Sequence, residues 1–254
     1  MPAPIDDILA ECERLLDAAA FEDHCVNGLQ VPGAELVTTI ATGVSANAEL
    51  FRLAAAENAD LLLVHHGIFW GPGVRAIDGG LALRLRLLFD ADIALAAYHL
   101  PLDAHPEVGN NALIARALGA KRIEPFAEHL GRAIGFIAEL PGDGMPFADL
   151  LASVRALTAR DPLAFDSGPE RVRRLAVVSG AGADFLDDAR AAGADALLTG
   201  EIAERSMADS REAGVHLIAA GHYATETFGI RHLGELLAER FELRHIFLDV
   251  PNPV

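Results

Sequence analysis

Residues 40–66 read IATGVSANAELFRLAAAENADLLLVHH, and residues 175–201 read LAVVSGAGADFLDDARAAGADALLTGE. Setting Ala59 and Asp60 over Ala194 and Asp195 fixes a register in which strand, helix and strand patterns recur in the same order. In that register His65 and His66 fall over Gly200 and Glu201. Further on, AAYHLPLD (residues 96–103) falls over AAGHYATE (residues 219–226), which sets His99 and Asp103 over His222 and Glu226. The second match needs a gap, and the IFWGPGVRAIDG stretch at residues 68–79 is where the extra residues fall. Repeated imidazoles and carboxylates at strand ends point to a metal site between two copies of one fold.

Working outward from this repeat, residues 61–64 form a continuous apolar run, as in a strand buried on both faces of a parallel sheet. Apolar spacing predicts helices over 6–19, 46–58, 80–90 and 109–118, alternating with strands over 36–44 and 92–98. The second half repeats the alternation. Helices are expected at 147–158, 183–192, 202–213 and 225–239, with strands at 134–140, 173–178, 195–199, 215–220 and 241–250. The expected fold is therefore α/β, a duplicated pair of three-layer lobes. Pro125, Pro141 and the nearby glycines mark the seam. Residues 1–124 with 240–254 are expected to form the first lobe, and residues 125–239 the second.

The chain has 254 residues, 52% of them hydrophobic, and a formal net charge of −17. Such a charge argues against a grip on nucleic-acid polymers or an anionic membrane surface. The acidic, amphipathic start is not a secretory signal and no apolar run approaches a membrane span, so a cytoplasmic location is expected. Cys12 and Cys25 are too few and too far apart for a disulfide framework, and read as buried, reduced thiols.

His65 and His66 close a strand just before Gly67, where functional residues of α/β sheets gather. Neighbours on a straight strand face opposite ways, so both reach one place only if the chain turns, which Gly67 permits. His99 and Asp103 bracket Pro101, and the residue before a proline favours extended geometry, so this segment reads as a strand-to-loop exit. Asp103 also reads as a helix cap, and His105 as a surface residue. With a helix start near Thr225, His222 and Glu226 are expected to share one face, while Glu226 alone also reads as a favourable first-turn acid. The SGAGAD run at 179–184 reads as a tight strand-to-helix turn, since Phe185 occupies the third glycine position of a dinucleotide fingerprint.

NGLQVPG (27–33), LLLVHHGIFWG (61–71), YHLPLDAHPEVGNNALIARALG (98–119) and GHYATETFGI (221–230) together resemble the Nif-three-like family. Its bacterial members carry the name GTP cyclohydrolase 1 type 2 homologue. The resemblance implies two interlocked α/β lobes with a dinuclear metal site in the cleft between them. It also implies a toroidal homo-hexamer. Its metal ligands would be His65, His66, Asp103, His222 and Glu226. Glu201 and His99 come from the repeat instead; His99 is placed beside the ions, in a proton-handling role. Three imidazoles and two carboxylates suit two divalent ions of Zn, Fe, Mn, Co or Ni. The expected activity is a metal-dependent hydrolysis of a small molecule by a metal-bridged hydroxide. A non-enzymatic metal-binding assembly protein or metallochaperone is the alternative, and an interaction scaffold a third.

Overall fold

A computed structural model describes residues 1–71 and 76–254. Part of the 68–79 stretch, residues 72–75, lies outside the described residues. The chain divides into two compact units, Met1–Leu102 with Gly229–Val250 and Asp103–Phe228 with Pro251–Val254. The expected seams stood at 124/125 and 239/240; in the structure they fall at 102/103 and 228/229. Two helices, α4 (Leu100–Asp103) and α10 (Thr227–Phe241), carry the chain across these seams.

Among its described residues the first unit holds a five-stranded sheet. Its strands are β1 (Gly28–Val31), β2 (Thr39–Ser45), β3 (Leu61–His66), β4 (Ala94–Ala97) and β11 (Arg244–Phe247), in the order β11-β2-β3-β4-β1. All neighbours are parallel except β1 on β4. Leu62, Val64, Leu95 and Ala97 pack with Leu50, Phe51 and Leu88 of helices α2 (Ala48–Ala56) and α3 (Gly79–Asp90). The alternate residues Leu61, Leu63, Ala94 and Ala96 are also buried. A sheet covered on both faces explains why its strands read as unbroken apolar runs. Asn47 caps α2 by accepting the Leu50 N–H, the stop-and-start signal its sequence carries.

The second unit holds a six-stranded sheet among its described residues. Its strands are β5 (Arg122–His129), β6 (Arg132–Glu139), β7 (Leu163–Phe165), β8 (Arg174–Val177), β9 (Ala196–Thr199) and β10 (His216–Ala219). The order is β7-β10-β9-β8-β6-β5, with β8, β9 and β10 parallel. One face packs on α5 (Asn110–Ala117) and α6 (Phe147–Thr158) through Ile114, Leu150 and Val154.

The repeat is written into the hydrogen bonds. Ile40 pairs with Leu61 across β2 and β3, and Leu175 with Ala196 across β8 and β9, the same register 135 residues apart. Asp60 Oδ2 accepts the Thr38 and Thr39 N–H groups, and Asp195 Oδ2 accepts those of Arg173 and Arg174. The two units thus share a β-α-β-α-β core. They differ at the edges, where β5 and β6 form an antiparallel hairpin around Leu130 and Gly131, both with positive φ. A two-residue turn with both φ values positive matches the twist of its strands. Both cysteines are buried and free, and burial pushes the Cys12 thiol up to about 12.

The HLPLD segment departs from its expected form. Leu100–Asp103 is one turn of helix, not a loop. Proline suits the first turn of a helix because its missing N–H has no partner to lose there, so Pro101 opens this turn instead of forbidding it.

Candidate metal centre

In the first unit three imidazoles gather beyond the carboxyl ends of β3 and β4. His65 is fully buried, and its ring centroid lies 4.8 Å from that of His66 and 5.0 Å from that of His99. One ligand atom on each of the three lies within 4.8 Å of the others. The two neighbours on β3 therefore both serve this cluster, as a turn at Gly67 would allow. His65 Nδ1 donates to the Tyr98 carbonyl at 3.0 Å, which puts its lone pair on Nε2. His66 Nδ1 meets Ser45 Oγ at 3.0 Å. His99 Nδ1 meets Asp23 Oδ1 at 2.8 Å. Trp70 stands edge-on to His99 at 5.1 Å, its indole N–H donating to the Gly67 carbonyl.

In the second unit the donors are carboxylates and one imidazole. His222 and Glu226 lie one turn apart, with Nε2 and Oε1 3.2 Å from each other. The helix α9 (His222–Thr225) begins at His222 itself, ahead of the expected start near Thr225, and Glu226 follows as its C-cap residue. Glu201 Oε2 lies 3.3 Å from His222 Nδ1, which places this residue beside the ring, as the repeat suggested. Burial alone would lower the His222 pKa. The hydrogen bond and charge of Glu226 and the charge of Glu201 outweigh it and raise the value to about 8. Asp103 is buried, and its Oδ1 accepts from Asn110 Nδ2 at 2.8 Å and from Ser179 Oγ at 3.0 Å.

The 179–184 turn serves this pair of acids. Gly180 has φ +63, and a Cβ there would overlap Glu226 Oε1 and stand 3.2 Å from His222 Nε2. Only glycine gives both the backbone angle and the room. Ser179 N–H donates to Asn111 Oδ1, so the same turn also ties to the helix after Asp103. Asp23, Asn110, Asn111 and Ser179 were not visible as site residues in the sequence, because they act only through contacts made by the fold. His105 is a turn residue, its Nδ1 accepting the N–H groups of Glu107 and Val108.

These donors fit a divalent metal by their chemistry. His65 and His99 are oriented through Nδ1 by a carbonyl and a carboxylate, which is how proteins hold histidine ligands. Oxygen and nitrogen donors without thiolate suit first-row divalent ions.

A family model for Duf34/NIF3 (NGG1p interacting factor 3) matches residues 3–253. The chain belongs to the Duf34/NIF3 family. A Pseudomonas aeruginosa relative named GTP cyclohydrolase 1 type 2 homolog is 43% identical over 253 residues, covering 100% of each chain. A solved structure of protein ybgI, described as of unknown function, superposes with a TM-score of 0.92 at 41% identity, covering 99% of this chain and 100% of that one. A crystal structure of a Thermus thermophilus protein gives 0.91 at 36% identity, with coverage of 99% and 100%. Among the described residues, no helix of this family member is long and apolar enough to cross a membrane.

Proposed function

We propose that this protein is a metal-dependent hydrolase in which His65, His66, Asp103, His222 and Glu226 hold two divalent metal ions. The observation that carries the reading is the orientation of the imidazoles at the strand ends: His65 is aimed by the Tyr98 carbonyl and His222 is flanked by Glu201. Histidines held this way present a fixed lone pair to a cation. The name shared by the curated relatives, GTP cyclohydrolase 1 type 2 homolog, supports hydrolysis as the reaction class. When bound, such a pair of ions supplies Lewis acidity that generates a hydroxide nucleophile from water near neutral pH.

The protein's own groups would do the rest. Asn110 and Ser179 hold the Asp103 carboxylate by donating to its Oδ1. Gly180 keeps space beside Glu226 that any side chain would fill. The substrate is a small molecule, and the assembly a homo-hexamer, in keeping with the resemblance.

Elemental analysis of protein purified without chelator should give close to two ions per chain. Asp103→Ala and Glu226→Ala should each lose at least one. A stoichiometry of one or below after reloading, or full occupancy in both variants, would sink the two-ion reading. Metal-loaded protein should then be profiled against nucleotides, cyclic amides and phosphoesters. Full metal content with no turnover across that panel would favour a metallochaperone over a hydrolase.

A further inference from the structure

Helix α6 ends at Ala159, whose positive φ turns the chain, and β7 begins at Leu163. β7 pairs antiparallel with β10, with Leu163 standing across from Ala219. The intervening loop is therefore held at the carboxyl end of β10, from which Gly221 and His222 follow. Ligand-binding residues of α/β sheets gather at such ends. Arg160 lies in that loop, in the same unit as His222.

The Arg160 side chain is half-buried and makes no hydrogen bond or ion pair among the described residues. Its neighbour Asp161 does not serve it, because that carboxylate takes Arg155 Nε at 2.9 Å. Glu201 and Glu226 are turned to His222 instead. Carboxylates are in excess, with 37 acidic against 20 basic residues, yet none of the described ones pairs with this arginine. Shape holds the side chain in place. A Cβ on Gly221 would overlap Arg160 Nη1 and stand 2.8 Å from Cδ and 2.9 Å from Cζ. Gly221 also has φ +99, so glycine supplies both the backbone angle and the shelf on which the guanidinium rests.

A guanidinium stays charged and presents its N–H donors in a planar fork that matches a carboxylate or a phosphate through two parallel bonds. Gripped by packing and not by hydrogen bonds, the Arg160 fork keeps its donors for a ligand. We propose that Arg160 binds an oxyanion, a carboxylate or phosphate group of the substrate, one residue away from His222 on the Gly221 shelf. This deepens the hydrolase reading and rests on it for the substrate, whose charge that reading leaves open.

The test titrates metal-free full-length protein with inorganic phosphate, with acetate, and with chloride as the control anion. The side-chain ¹⁵N resonances of Arg160 are followed by NMR, assigned by their loss in Arg160→Lys. Phosphate or acetate should shift them saturably, and the tighter of the two names the anionic group. Arg160→Ala should weaken that binding about tenfold or more, and Arg160→Lys, which keeps the charge without the fork, by less. The bound oxyanion should also raise the Tm of the wild type and leave that of Arg160→Ala unmoved, which a merely structural role would not produce. No saturable shift with either oxyanion, an equal response to chloride, or unchanged affinity in Arg160→Ala overturns the proposal. If Arg160→Ala fails to fold, the wild-type shifts measured against chloride decide. Neither metal nor turnover enters this experiment, so its failure leaves the hydrolase reading standing. Oxyanion binding by a protein that turns over nothing would sink the hydrolase reading and keep the anion site.

Discussion

Asp23 is a buried carboxylate surrounded by donors. Burial by itself would raise its pKa, but the hydrogen bond and charge of His99, with the Cys25 N–H and Asn27, bring it from 3.8 down to about 2. A folded pKa below the unfolded one stabilises the fold above the unfolded value, and that stability is lost as the pH falls through 3.8 to 2. At about 1.4 kcal/mol per pH unit, the contribution is roughly 2 kcal/mol. Asp23→Asn should therefore lower unfolding stability at pH 7 by about this amount and flatten its decline between pH 4 and pH 2, measured by urea titration. An unchanged acid limb would show that the His99 contact carries no charge. His222 has the opposite sign: its value is raised from 6.5 to about 8. In metal-free protein its stabilising contribution is full below 6.5 and is lost as the pH rises through 8. None of the Asp23 chemistry was legible in the sequence, because its partners lie in distant segments and no periodic pattern connects them. His65, His66, His222 and Glu226 were legible because each sits at a strand end or within one helical turn of its partner.

At the scale of elements, Asp60 and Asp195 open equivalent strands by accepting two backbone N–H groups each. Removing either acceptor frees one exposed and one part-buried N–H, at a cost of about 0.5–1.5 kcal/mol. Asp60→Ala and Asp195→Ala should both destabilise the protein by amounts in that range. If one proves neutral, the structural equivalence of the two units ends at the backbone. Gly180 and Gly131 offer a sharper comparison, since both have positive φ but only Gly180 would meet Glu226 and His222 with a Cβ. Left-handed backbone costs a non-glycine residue about 1–2 kcal/mol. Gly131→Ala should show that cost alone, whereas Gly180→Ala should also reduce bound metal. Equal metal content in the two variants would mean the Gly180 turn does not shape the site. The α4 turn is hidden in the sequence because Pro101 signals extended backbone at Leu100 while also suiting a first helical turn. Of the β5–β6 hairpin only β6 shows in the sequence, as an apolar run, because β5 carries Pro125 and mixes exposed with buried residues.

For the whole molecule, the apolar share of 52% with 6% aromatic residues leaves surface for subunit contacts. Light scattering at micromolar concentration should return a homo-oligomer of hexameric mass, and a stable monomer would contradict the assembly proposed here. The sequence by itself determined the α/β class, the repeat and its register, and the family. These rest on hydrophobic periodicity and on local motifs, which the chain carries wherever it folds. Only the tertiary structure decided which nitrogen of His65 and His99 bears the proton, which side chains brace Asp103, and why residue 180 must be glycine. Those facts come from contacts between residues tens of positions apart, such as Asp23 with His99 and Gly180 with Glu226. Such contacts depend on packing distance, which a linear pattern does not encode.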